Sequence, residues 1–214
     1  MNKIGYDPNN NLNLLRARVN ELRVELRSVD PDILSKYTDS HFAQEDPPSG
    51  EYILSMWGRQ IKISYPDFIA KNEDTYEELD IASQALVLYH FVTTDGAPEL
   101  GRWISFADLP DGRFYNSAFQ GYTGGELVRK FGNDRNRFKT AAEILVGRVE
   151  FLGDAAYRFS LFPRVPLIAV MWEGDEDIPA SYRILFDASV PNHLPTDACA
   201  IAGSMLTRRF IKAI

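Results

Sequence analysis

The sequence holds a single cysteine, Cys199, among 214 residues. No intrachain disulfide can form, and neither a cysteine-ligated iron–sulfur cluster nor a Cys-rich zinc site can be assembled from this chain alone; a reducing, cytoplasmic setting is expected. Long apolar runs are also lacking. No window approaches the roughly 18 consecutive apolar residues of a membrane span, and residues 1–8 carry no apolar stretch of the kind that opens a signal peptide. Neither membrane insertion nor conventional export is expected. Positive charge is in deficit, with 23 Lys and Arg against 30 Asp and Glu, a net charge of -7. That balance opposes sequence-independent binding of nucleic acid or anionic lipid. The densest basic stretch, Arg129, Lys130, Arg135, Arg137 and Lys139, reads as the solvated face of helices. There is no Walker loop, HExxH helix, nucleophile elbow or EF-hand spacing, so no catalytic residue and no metal-ligand set is assigned.

What is present is ordinary globular material: 45% hydrophobic, 25% charged and 12% aromatic residues. A chain of this length removes roughly 70% of its unfolded surface from water. Leu12, Leu15, Val19, Leu22, Leu26 and Val29 recur at spacings of three and four and predict an amphipathic N-terminal helix within residues 1–30, docked through Leu15, Val19, Leu22 and Leu26. Asp30 then caps a short helix with Pro31 at its first position. Residues 51–57 and 60–65 flank Gly58-Arg59 and predict a β-hairpin with a type II′ turn. A long helix follows at about 76–92. Leu109-Pro110-Asp111-Gly112 is a turn signal, and Thr123-Gly124-Gly125-Glu126 has capping-box spacing. A helix from about Arg135 to Val146 ends with Gly147 as its cap. The last third is β-rich, with alternating Tyr157, Phe159 and Leu161, an apolar strand at 166–172, a strand at 182–186, and a final helix opening at Thr196. Together these predict a single α+β domain over residues 1–214, an antiparallel, hairpin-rich sheet covered by helices.

Several segments carry a resemblance. They are Phe162-Pro163-Arg164-Val165-Pro166, Trp172-Glu173-Gly174-Asp175-Glu176-Asp177, Ile184-Leu185-Phe186-Asp187 and Leu194-Pro195-Thr196-Asp197, with Gly101-Arg102-Trp103-Ile104-Ser105-Phe106, Leu109-Pro110-Asp111-Gly112 and Phe131-Gly132. The chain resembles, over about residues 60–206, the family catalogued as domain of unknown function 3786. The resemblance implies no particular activity; it implies a connection with redox or corrinoid proteins, which a chain with one cysteine would reach only through a cofactor-carrying partner.

Four carboxylates at Glu173, Asp175, Glu176 and Asp177 end an apolar strand. Oxygen-rich clusters suit Ca²⁺ or Mg²⁺, but consecutive carboxylates without ligand spacing read as a solvated loop. Asp187 and His193, six residues apart, form a carboxylate–imidazole pair of the acid–base type. Trp103, Trp172, Tyr115, Phe119 and Tyr122 could wall a cleft for a flat ligand, and Arg102 and Arg164 could fork to a carboxylate. The expected ligand site is therefore one sheet edge built by Trp172, Glu173, Asp175, Asp187 and His193, beside Trp103, with Arg102 or Arg164 as the cationic contact. His90 and His41 read as structural histidines. The expected function is a non-catalytic accessory protein binding a small anionic or tetrapyrrole-like ligand, or the redox or cofactor-carrying protein that bears it. The rivals are a divalent-cation-dependent hydrolase or lyase and a protein-interaction scaffold.

Overall fold

The computed structural model describes residues 8–44 and 46–214; residues 1–7, where no export signal was expected, lie outside the described residues. Helix α1 (Pro8–Leu26) follows the leucine stripe, burying Val19, Leu22 and Leu26 while Leu14 and Val24 face solvent. It packs on helix α3 (Ile81–Thr93). Asp30 accepts from the Asp32 amide to open α2 (Pro31–Thr38), with Pro31 at the first turn as expected.

Strands β1 (His41–Gln44), β2 (Gly50–Met56), β3 (Arg59–Tyr65) and β4 (Ala70–Asn72) form a four-stranded antiparallel meander. The β2–β3 turn is Trp57-Gly58, not Gly58-Arg59, because Met56 pairs with Arg59. Both turn residues have positive φ, 53° at Trp57 and 76° at Gly58, which is type I′ geometry in place of type II′. A tryptophan tolerates that backbone here because it is held twice, its amide donating to Leu161 O and its indole Nε1 to Met205 S. The turn thereby ties the first sheet to the second.

Helix α3 starts later than the apolar pattern suggested, at Ile81, because Asp80 caps it through Ser83 N while residues 77–79 continue along β4. The second sheet runs β5 (Trp103–Ser105), β9 (Ser181–Asp187), β8 (Val165–Trp172), β7 (Ala155–Phe162), β6 (Arg148–Glu150), all antiparallel. Helices α4 (Gly112–Tyr122), α5 (Gly124–Phe131), α6 (Arg135–Ile144) and α7 (Thr196–Ala213) cover its inner face. The α+β reading thus holds, with the strands divided between two sheets that share one core. That core runs without a break from Leu22 through Tyr52 and Phe91 to Phe138, Phe186 and Phe210.

The outer face of the second sheet carries a separate cluster of Ala156, Ile168, Val170 and Leu185, half-covered by Trp103 and Trp172. The coil at 94–102 is strapped to this sheet at three places, the β7–β8 turn, the middle of β7 and the end of β9. Gly96 O accepts from Arg164, Glu99 receives Arg158 on both carboxylate oxygens at 2.6 and 2.8 Å, and Leu100 N donates to Asp187.

Candidate functional site, a buried polar cluster under the 94–102 strap

Strand β9 ends at Asp187, which is fully buried. Its Oδ1 accepts from Leu100 N at 2.9 Å, Ser189 N at 2.9 Å and Ser189 Oγ at 2.6 Å. Burial alone would push this carboxyl upward, but the bonds from Ser189 and Leu100, with the Gly101 amide close by, outweigh it and hold the group ionised below the ordinary carboxylate range. The chain then turns through Val190–Asn192 and delivers His193, also fully buried, against α3. His90 and Thr94 lie four residues apart at the end of that helix, on one face. Thr94 Oγ1 lies 2.8 Å from His193 Nδ1, and the His90 and His193 ring centroids are 6.0 Å apart. Phe162 stacks on His90 at 4.5 Å.

One tautomer follows from the hydrogen bonds. His193 O, a carbonyl, only accepts, so His90 directs Nδ1–H to it at 3.4 Å and keeps a lone pair on Nε2. Thr94 Oγ1 lies 2.8 Å from His193 Nδ1 and 3.2 Å from Tyr37 O and can donate to either, so His193 carries its hydrogen on Nδ1 or on Nε2. Among the described residues His90 Nε2, His193 Nε2 and Asp187 Oδ2 are buried without a hydrogen-bond partner. All three belong to one cluster, and a buried polar group without a partner is costly.

Burial lowers the His90 pKa to about 3, helped by the neighbouring His193 and Arg164 and opposed by the carbonyls of His193 and Thr38. Burial also lowers that of His193, against the pull of Asp95, the Ala97 carbonyl and Asp187. Both rings take protons less readily in the folded chain than in the unfolded one, so stability falls as pH drops below the ordinary histidine value of 6.5 toward about 3. From His90 alone the loss between pH 7 and pH 4.5 should be about 2–3 kcal/mol. Urea midpoints at the two pH values, in wild type and His90→Gln, measure it; an equal pH dependence in the variant would show that His90 does not cause it.

The expected site residues divide. Asp187, His193 and Arg164 come together, and Trp103 pairs with Asp187 across β5 and β9. The Arg164 guanidinium donates to Gly96 O at 2.8 Å, meets the exposed Asp39 at 3.5 Å, and its charge reaches both histidines. Arg102 contributes its carbonyl to Ala188 N, while its side chain is exposed and makes no ion pair among the described residues. Trp172, Glu173 and Asp175 belong elsewhere, which corrects the single-edge arrangement expected for them. Trp172 pairs with Ser181 at the opposite end of β9, six residues or about 20 Å from Asp187.

The acidic loop is a turn braced by its own Asp175 and by neighbouring side chains. Asp175 Oδ1 accepts from Asp177 N and Ile178 N, Glu173 pairs with Arg135 at 3.7 Å, and Asn133 exchanges two bonds with the Gly174 backbone. Among the described residues no three His, Cys, Asp or Glu side chains are placed to hold a metal ion. The aromatic cleft does not assemble either. Phe119 is buried and stacked on Phe106 at 4.1 Å, whereas Trp103 and Trp172 lie on the outer face, Arg183 over the latter at 5.9 Å. Thr123 holds the N-cap position of α5 but its side chain makes no capping bond, since the hydroxyl donates back to Phe119 O. The glycine beside it has a packing cause: a Cβ on Gly124 would fall 2.2 Å from the Tyr182 carbonyl of β9.

His90, Thr94 and Ser189 were not singled out as site residues. Their signals were the i, i+4 spacing of His90 and Thr94 and the Asp187-Ala188-Ser189 spacing of a side-chain-capped turn. The family model described as "Domain of unknown function (DUF3786)" matches residues 34–209, a span that includes every residue of the cluster. No curated protein and no solved structure matches the chain.

Proposed function

The chain belongs to the DUF3786 family, and we propose that it is a non-catalytic accessory protein that binds a small ligand at the cluster under the 94–102 strap. The observation that carries this reading is the set of three buried polar atoms, His90 Nε2, His193 Nε2 and Asp187 Oδ2, that have no hydrogen-bond partner among the described residues. A fully internal brace would satisfy its own atoms; these are left open to a molecule that enters. Arg164, part-exposed and only loosely paired with Asp39, supplies the cationic contact at the rim. The ligand class is thus a small acid that also bears a hydroxyl or ammonium group, its acidic end on Arg164 and its donors toward the imidazoles.

Metal-dependent hydrolysis is less well supported, because Glu173 and Asp175 lie at the far end of the sheet from Asp187 and His193. Native mass spectrometry of freshly purified protein tests the proposal. Wild type should carry a small non-covalent mass that Arg164→Met and Thr94→Val lose. A bare chain mass in every preparation, or an adduct unaffected by both substitutions, would refute it.

A further inference from the structure

Strand β6 is one edge of the second sheet and, among the described residues, pairs only with β7. Around it the surface is unusually apolar: Val146 is 85% exposed, Val149 67%, Phe151 fully exposed, with Ile144 beside them. An open edge strand with apolar neighbours invites a further strand. The occupant is indicated by the charges of β6 itself, Arg148-Val149-Glu150. If two copies pair antiparallel about Val149, Arg148 of each lies opposite Glu150 of the other, and Val149 meets Val149. The sequence is its own electrostatic complement. Within one chain Arg148 is poorly placed, since its cross-strand neighbour is Arg158, a like charge already engaged by Glu99. Among the described residues neither Arg148 nor Glu150 has an ion-pair partner.

Val146 is a second, independent observation. Helix α6 ends in a Schellman arrangement, Gly147 N donating to Ala142 O and Val146 N to Glu143 O, and this puts Val146 at the left-handed position with φ 59°. Glycine or asparagine is the relaxed choice there, and a β-branched residue is strained. In the single chain the exposed valine side chain gains nothing for that strain. It does gain if a second copy covers it.

We infer that the protein self-associates as a two-fold dimer through antiparallel β6–β6 pairing, with Val146, Val149 and Phe151 as the apolar seal. Sedimentation velocity across about 1–200 µM, where dimers of modest affinity dissociate, tests the proposal on the full chain. Wild type should shift from monomer to dimer. Arg148→Glu and Glu150→Arg should each weaken association at least about tenfold, because each creates two like-charge contacts per dimer by symmetry. The double variant Arg148→Glu/Glu150→Arg should restore association to near the wild-type level. Val146→Gly should weaken the dimer while leaving the monomer's melting temperature unchanged or higher. All three positions are on the surface, Val146 and Arg148 exposed and Glu150 part-exposed, so folding is not at risk. A wild-type monomer throughout the range, a dimer indifferent to either charge reversal, or a double variant that stays dissociated would overturn the inference.

Discussion

Replacing Asp187 with alanine is expected to lower stability by about 3–5 kcal/mol, because two buried donors and a part-buried one lose their acceptor together at a cost of about 1–3 kcal/mol each, partly shared. The donors are Leu100 N, Ser189 N and Ser189 Oγ, all on the single oxygen Oδ1. The first belongs to the 94–102 strap and the other two to the turn that presents His193, so one carboxylate fixes both walls of the candidate site. Asp187→Asn keeps one acceptor oxygen and should cost less, while Ser189→Ala removes a single bond and should cost about 1 kcal/mol. Urea denaturation of the three variants gives the ordering directly. A loss below about 1 kcal/mol for Asp187→Ala would mean that the strap is held by Arg158–Glu99 and Arg164–Gly96 alone.

Leu22→Ala should be nearly as damaging, at about 2–5 kcal/mol, the range for emptying a fully buried leucine site. Leu22 has no exposed surface, and Val19 and Leu26 flank it one turn to either side on the stripe that meets α3. Around this seam the polar groups also lock: Arg23 reaches Phe68 O and Gln84 Oε1, and buried Gln84 exchanges two bonds with the Ala70 backbone. Leu14→Ala, on the opposite face and 61% exposed, should change stability by no more than about 0.5 kcal/mol. Chemical denaturation of both variants separates a docked helix from a projecting one, since equal and small effects would contradict docking.

The elements that could be read from the sequence are those whose own side chains declare a period. The leucine stripe of α1, the alternation of β7, the apolar run of β8 and the final helix all fall where the pattern places them. Helix α4 did not declare itself. Gly112, Asn116, Ser117 and Gly121 dilute its helical pattern, and it forms because Phe119 stacks on Phe106 in the core. The Thr123-Gly124-Gly125 segment imitates a cap or anion loop, whereas the need for Gly124 comes from the Tyr182 carbonyl in a distant strand, which no local window contains.

The site was legible in halves. Asp187 and His193 share one turn, so their association followed from proximity in the chain. Trp172 and Glu173 were grouped with them although a seven-residue strand stands between, and an extended strand of that length carries its ends about 20 Å apart. His90 and Thr94 reach the cluster only through tertiary packing of α3, more than ninety residues away in sequence.

A high-resolution crystal structure of protein purified without denaturation would test the central claim most directly, by the density beside His193 Nε2, His90 Nε2 and Asp187 Oδ2. The account predicts one continuous non-water molecule hydrogen-bonded to these atoms, with an acidic group on Arg164. Isolated waters bridging the three atoms, beneath an unmoved 94–102 strap, would contradict it and leave the cluster as a hydrated brace.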